Sequence, residues 1–307
     1  MATRHDALDP IFVTRQLEFV RAQAMDPALA PLLSRQLIPT NNEVPEGADS
    51  YTYRQYDIYG EAKWRSPKST DMPLVNTSGK ETTVKPYSFW TGWEIDFEEM
   101  LAAQFAGMNL DGRLGLAARR AVEEFFDRVA ISGDTEKGLK GLINQTGVTT
   151  YTVPSDGTGV TKTWSTKTND LIVRDMHGAV YQIVADTKQI ESPDVLLLPL
   201  EQYTLISTTP YSDYDGASVL DVFLAHSQYV KTVLPLAALD DASAGPLDLM
   251  IAYRRSPEVL EHVIPREFTQ LPTETINAGT LFRTACLGKT AGVVVRRPKA
   301  ICYAAGI

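Results

Sequence analysis

Three carboxylates, Glu94, Asp96 and Glu98, occupy alternate positions, so a strand running through them would project all three from one face, the geometry that general acid–base catalysis or divalent-metal binding uses. The same segment carries a competing local signal. Asp96-Phe97-Glu98-Glu99 has the spacing of a capping box: the Asp96 carboxylate can accept the Glu99 amide, Glu99 can reach back, and all the acids suit the positive end of a helix. Helix initiation accounts for this cluster without chemistry, so neither catalysis nor a metal is expected of it.

Two stretches imitate phosphate loops. Gly107 to Arg113 repeats the Gly-x-x-x-x-Gly-basic spacing, but Arg113-Leu114 stands where a Lys-Ser/Thr pair would reach phosphate and magnesium. Gly288-Lys289-Thr290 has the right ending, with Arg283 where the first glycine belongs. The Gly-punctuated turn from Ser132 to Asn144 would suit phosphate only beside a nucleophile, base or metal cluster. His5, His177, His226 and His262 are isolated and match no zinc spacing, and no Gly-x-Ser-x-Gly elbow occurs. Trp90-Thr91-Gly92-Trp93, with Tyr51, Tyr53, Tyr56 and Tyr59, could stack sugars or bases. Without clustered charged partners, these aromatics fit a sheet or subunit contact better. No enzyme and no cofactor are expected.

Composition narrows the class further. A chain of 307 residues with 44% hydrophobic and 22% charged content is long enough to bury a large core and is neither disordered nor membrane-like in composition. Twenty-nine basic against 38 acidic residues leave a net charge of -9, which repels a phosphate backbone and argues against a dedicated nucleic-acid binder. Local basicity survives from Leu281 to Ile307, which holds Arg283, Lys289, Arg296, Arg297 and Lys299 and no acid. The start of the chain lacks the apolar core of a secretory signal, and no apolar run approaches the roughly 20 residues of a membrane span. Cys286 and Cys302 read as reduced, buried thiols.

The elements that position these residues follow from periodicity. Val13, Leu17, Val20 and Ala24 give a short amphipathic helix in an arm ending near residue 46. Tyr51–Trp64 and Lys80–Ile95 read as two strands of a long hairpin, with Arg65–Gly79 as its polar tip. Fourteen residues at about 3.3 Å each make arms of roughly 45 Å. A compact globule of this length has a radius of gyration of only about 19 Å. The hairpin is therefore expected to protrude and, since two strands alone are marginal in water, to lie on a neighbouring subunit. Beyond it the capping box starts a helix with Met100, Leu101 and Phe105 on its apolar face. After a turn at Asp111-Gly112, Leu114, Ala118, Val122, Phe125 and Val129 mark a long spine helix ending at Gly133. A second helix follows Thr168-Asn169 and runs to about Gln189. Asp194–Pro199 reads as a buried strand, Glu201–Ile206 and Ser218–Tyr229 as helices, Leu247–Tyr253 as a strand, and the tail as β. The fold class is α+β with interleaved subdomains.

In this order the elements resemble the major capsid proteins of tailed double-stranded DNA bacteriophages with the HK97 fold. Three pieces carry the resemblance: Gly133-Asp134 with Gly138-Leu139-Lys140-Gly141-Leu142-Ile143-Asn144 after the spine helix; Pro193–Pro199 followed by Glu201–Ser207; and Gly292-Val293-Val294-Val295-Arg296-Arg297-Pro298-Lys299-Ala300-Ile301 at the close. The resemblance implies an N-terminal arm (1–46), an extended loop (47–95), a peripheral domain (96–148 and 255–290) and an axial α+β domain (149–254 and 291–307). It also implies hexamers and pentamers of this chain closing into an icosahedral virion shell around DNA, made in the bacterial host cytoplasm. The expected partners are copies of itself, a portal, a separate scaffolding protein, because the arm is short, and DNA through weak non-specific contacts; no membrane is involved. Trp64, Tyr87, Phe89, Trp90 and Trp93 are the candidate apolar anchors of assembly. Some relatives crosslink through Lys-Asn bonds, but nothing marks Lys63, Lys68, Lys80 or Lys85 as activated, and no crosslink is expected. Two other readings stay open: an encapsulin-like nanocompartment around a cargo enzyme, and a carbohydrate- or phosphate-handling enzyme using Glu94, Asp96 and Glu98.

Overall fold

Val195-Leu196-Leu197-Leu198 is a strand whose four residues are all buried, because apolar layers cover both faces of the sheet it belongs to. A computed structural model describes residues 29–64, 70, 72–107, 109–212, 215–242 and 248–307 of the chain. The expected arm helix and residues 65–69 and 71 of the expected hairpin tip lie outside the described residues.

In chain order the strands are β1 (Thr40–Asn41), β2 (Tyr51–Tyr59), β3 (Asn76–Val84), β4 (Tyr87–Asp96), β5 (Thr149–Tyr151), β6 (Val195–Leu198), β7 (Pro210–Ser212), β8 (Asp215–Ser218), β9 (Thr232–Pro235), β10 (Leu249–Tyr253), β11 (Leu260–Val263), β12 (Arg266–Gln270), β13 (Glu274–Ile276), β14 (Leu281–Thr290), β15 (Val293–Val295) and β16 (Ile301–Ala305). The helices are α1 (Ser34–Leu37), α2 (Phe97–Phe105), α3 (Leu110–Ser132), α4 (Asn169–Asp186), α5 (Leu200–Thr208) and α6 (Val219–His226).

The central sheet has the order β5-β16-β10-β6-β9 and mixes parallel with antiparallel pairs. Because side chains alternate along a strand, Leu196 and Leu198 enter one core with Met176, Ile183 and Phe223 of α4 and α6, while Val195 and Leu197 enter a second core on the opposite face. That second core contains Ala130 and Ile131 from the end of α3, Leu37 from α1, and Val293 from β15. Segments far apart in sequence therefore share one core, and Leu32–Ile307 forms a single compact unit. The close approach of α4 to β5 depends on Gly178, where an added Cβ would fall 2.4 Å from the Tyr151 ring.

A second sheet is built on β14, which pairs with β4 along its whole length on one edge and with β12 and β13 in turn on the other. The long α3 packs on it through Ala118, Val122 and Phe126. Here the structure corrects the sequence reading. The expected strand Lys80–Ile95 is two strands, broken at Lys85-Pro86, where proline cannot donate to a ladder. β2 pairs with β3 over Tyr51–Tyr59, about 30 Å rather than 45 Å, while β4 turns away into the second sheet. The spine helix also starts earlier than expected: Asn109 caps it, accepting the Gly112 amide at 3.0 Å, so Asp111-Gly112 is its first turn rather than a break. The capping box at Asp96 and Glu99 is present as read. β1, β11 and β15 form a small third sheet, and β7 and β8 pair as a ribbon.

Candidate assembly surfaces

The groups that looked chemical do not converge. Glu94 pairs with Arg283 on the adjacent strand, Asp96 caps α2, and Glu98 is exposed in its first turn. Among the described residues no group of three or more His, Cys, Asp or Glu side chains could hold a metal. In the turn after α3, Gly133 has φ 75°, and a Cβ there would fall 2.5 Å from the Leu139 carbonyl. Its amides are taken internally: Asp134 N–H donates to Leu139, Gly141 N–H to the Asn144 side chain, and Leu142 N–H to Ala130 at the helix end. None of these amides is left for a phosphate. Lys289 is buried, donating Nζ to the Glu46 and Ala48 carbonyls at 2.9 and 2.7 Å. Cys302 is free and buried, and burial pushes its thiol up to about 12, away from reactivity at neutral pH.

His262 packs against the edge of the Phe126 ring with Nε2 3.0 Å from the Thr290 hydroxyl. That hydroxyl donates its proton to the Val263 carbonyl, so its oxygen accepts from imidazole Nε2–H, which fixes a neutral tautomer. Burial, followed by the charge of Arg35, lowers its pKa to about 4. This histidine is structural.

The hairpin falls into two halves. At its root Tyr51, Tyr53 and Gln55, which share one face, lie against the body: Tyr51 Oη donates to Glu261 at 2.8 Å, Tyr53 Oη to the Val295 carbonyl at 3.3 Å, and Gln55 Nε2 to the Arg296 carbonyl. Beyond Gln55 no described residue of the body bonds to the ribbon or pairs with its strands. Tyr56, Ile58, Tyr59, Met72, Leu74 and Val75 are exposed, and Trp64 is fully so. Among the described residues no third strand pairs with β2 or β3. An exposed ribbon with two open edges and an apolar surface is the kind of element that soluble monomers avoid.

The five aromatic anchor candidates separate in the same way. Trp64 stands on this outer half, whereas Tyr87, Phe89, Trp90 and Trp93 lie on β4 in the second sheet. Trp93 is only 8% exposed, packs with Ile95 and Ala118, and donates its indole N–H to Asp111 at 3.2 Å. Phe89 stacks on Phe125 with centroids 4.1 Å apart, and Tyr87 is half-buried. Trp90, 77% exposed on the opposite face of that strand, is open. Period-two alternation explains the split, but only once β4 is recognised as a sheet strand with one face under α3.

Sequence reasoning missed two buried ionic groups. Glu261 accepts from Tyr51, from Asn41 at 3.0 Å and from Arg296 at 2.6 Å. Lys167, with a fully buried side chain, lies 2.6 Å from Asp175 and 3.1 Å from Asp156, and Arg174 bridges both acids. The Arg174 hydrogen bond, followed by that of Lys167, holds the Asp156 carboxyl down at about 2. Glu261-His262 set among Val259, Leu260, Val263 and Ile264 was a legible signal, because charge inside an apolar strand needs a partner.

No helix among the described residues is long and apolar enough to cross a membrane. No curated protein matches the sequence. Solved structures share the fold: the capsid of Myoviridae phage XM1 aligns with a TM-score of 0.80 at 18% identity, covering 95% of this chain and 98% of that one. The capsid of the native GTA particle aligns at 0.69 and 12% identity, covering 99% of each chain. A chain of Mycobacterium phage Adephagia aligns at 0.66 and 11% identity, covering 98% of each. The family model described as major capsid protein matches residues 60–307. With its chemical-looking residues spent on caps, ladders and buried pairs, and its unsupported surface on a projecting ribbon, the chain belongs to the major capsid protein family and is a structural component of the virion.

Proposed function

We propose that this subunit associates with its own copies into rings of five and six, and that the rings close as an icosahedral shell around packaged double-stranded DNA. The observation that carries this reading is the outer half of the hairpin, which pairs with no third strand among the described residues and exposes Tyr56, Ile58, Tyr59 and Trp64. A specific protein interface buries about 1,600 Å² in total, and a ribbon laid on a neighbour contributes main-chain edges as well as apolar side chains to such an area. Trp64 and Trp90 are then the anchors that face other subunits, while Trp93, Phe89 and Tyr87 act indirectly by holding the sheet against α3. The ranges 149–254 and 291–307 as an axial domain are supported by the central sheet, whose strands all come from them. The peripheral domain is better drawn to include β4, with the loop ending near Pro86. The net charge of -9 suits a wall that encloses DNA without gripping it. A portal and a scaffolding protein complete the expected partners. The nanocompartment alternative has less support, since the matching family is that of major capsid proteins.

The test replaces Gly60–Val75 by Asn-Gly, which closes β2 on β3 through a two-residue turn. The isolated subunit should keep its helical circular dichroism and lose closed particles in electron micrographs. Normal particles from this variant would remove the hairpin from assembly.

A further inference from the structure

Assembly needs the projecting hairpin to leave the body in a fixed direction, and one buried carboxylate collects its root and the segment that leads into it. Glu261, on β11, is almost completely buried. Its oxygens accept Asn41 Nδ2 at 3.0 Å, Tyr51 Oη at 2.8 Å and an Arg296 guanidinium nitrogen at 2.6 Å. Asn41 lies in β1, where the arm joins β11 in parallel. Tyr51 is the first residue of the hairpin strand β2. Arg296, just past β15, touches Tyr51 Oη directly at 2.9 Å and the Pro257 carbonyl at 3.2 Å, while its own carbonyl accepts Gln55. Lys289 holds the segment between arm and hairpin by the Glu46 and Ala48 carbonyls. From Asn41 to Gln55 the chain therefore hangs on Glu261, Arg296 and Lys289, with Glu261 bonded to Asn41 and Tyr51.

We propose that Glu261 and Arg296 are positioning residues for shell assembly, fixing the take-off direction of the hairpin together with the segment from Asn41 that leads into it. The inference rests on the capsid reading and adds the device that aims its contacts. Its physical basis is directional. Apolar packing at the root, through Val44, Tyr51, Tyr53 and Val84, leaves the ribbon free to slide or tilt. A desolvated charge with three donors resists this, because a tilt that withdraws Tyr51 costs a buried carboxylate one of its donors. One residue serving both segments also couples them: a movement of the hairpin root that withdraws Tyr51 leaves Glu261 to Asn41 and Arg296 alone.

The test uses Tyr51→Phe, which removes one hydroxyl at the rim, and Glu261→Gln, which keeps size and removes charge. Spin labels on Thr77→Cys and Glu201→Cys report the hairpin-to-body distance in the unassembled subunit, while thermal melting reports the body. With wild-type side chains at the node the distance distribution should be narrow. Either variant should broaden it and replace closed particles by irregular ones, with Tyr51→Phe melting as wild type does. Arg296→Lys, which retains charge with a single donor group, should lie between. If wild-type protein forms closed particles, and Tyr51→Phe and Glu261→Gln both keep the narrow distribution and normal particles, the proposal is overturned. If the wild type forms no particles under any condition, the capsid reading itself fails, and the distance measurement still decides whether the node aims the hairpin. Should Glu261→Gln not fold, Tyr51→Phe alone decides.

Discussion

The central sheet and the hairpin are both β structure, yet one is finished within the subunit and the other is not. Every residue of β10 is buried, with ladders on both sides and packed layers above and below. The outer half of β2 is exposed throughout and, among the described residues, has a partner on one side only. Substitutions should therefore register in different measurements: in the sheet they change the stability of one molecule, and in the ribbon they change whether molecules combine.

The largest stability effect is expected at Lys167→Met. Loss of the ammonium leaves Asp175 buried with Arg174 as its remaining ionic partner, and breaking a buried pair in this way costs about 3–5 kcal/mol. Denaturant unfolding measures it, and a loss under 1 kcal/mol, roughly the value of a surface pair, would show that the quartet behaves like surface charge. Acid should act next, through His262. Its folded pKa of about 4 lies below the ordinary 6.5, so below pH 6.5 the unfolded chain takes up a proton that the folded chain refuses. Stability from this group is complete above pH 6.5, falls as pH drops toward 4, and amounts to about 3 kcal/mol. His262→Gln should flatten that part of the pH profile; an unchanged profile would mean that the imidazole is hydrated. Asp96→Ala, which removes the N-cap of α2, should cost about 1 kcal/mol. The smallest effect on the subunit, within about 0.5 kcal/mol, is expected for Ile58→Ser on the ribbon. The same variant should nevertheless impair particle formation, scored by sedimentation. Full assembly by Ile58→Ser would erase the contrast between the two regions at that residue.

Much of the fold was legible because its signals are local. The Asp96 capping box, the Gly133 stop, the apolar run at Val195–Leu198 and the periodicity of α3 and α4 all depend on neighbours within a few residues. What failed was long-range. Aromatic richness from Tyr87 to Trp93 looks the same whether the strand belongs to a projecting ribbon or to a sheet under a helix, and only its pairing with β14 decides. For the same reason Trp93, a candidate apolar anchor in or near the assembly contacts, sits in the subunit's own core. The Glu261 group was invisible as a group because its members converge from three distant stretches of chain, Asn41 with Tyr51, Glu261, and Arg296.

The place of β16 has a consequence in time. Residues Ile301–Ala305 lie between β5 and β10, so the largest sheet lacks an inner strand until the ribosome has passed residue 305. Until then the nascent chain holds β5 and β10 unjoined, and the long loop closure that unites them comes late. A chain cut short before Ile301 therefore holds β5 apart from β10, β6 and β9, with no ladder to unite them.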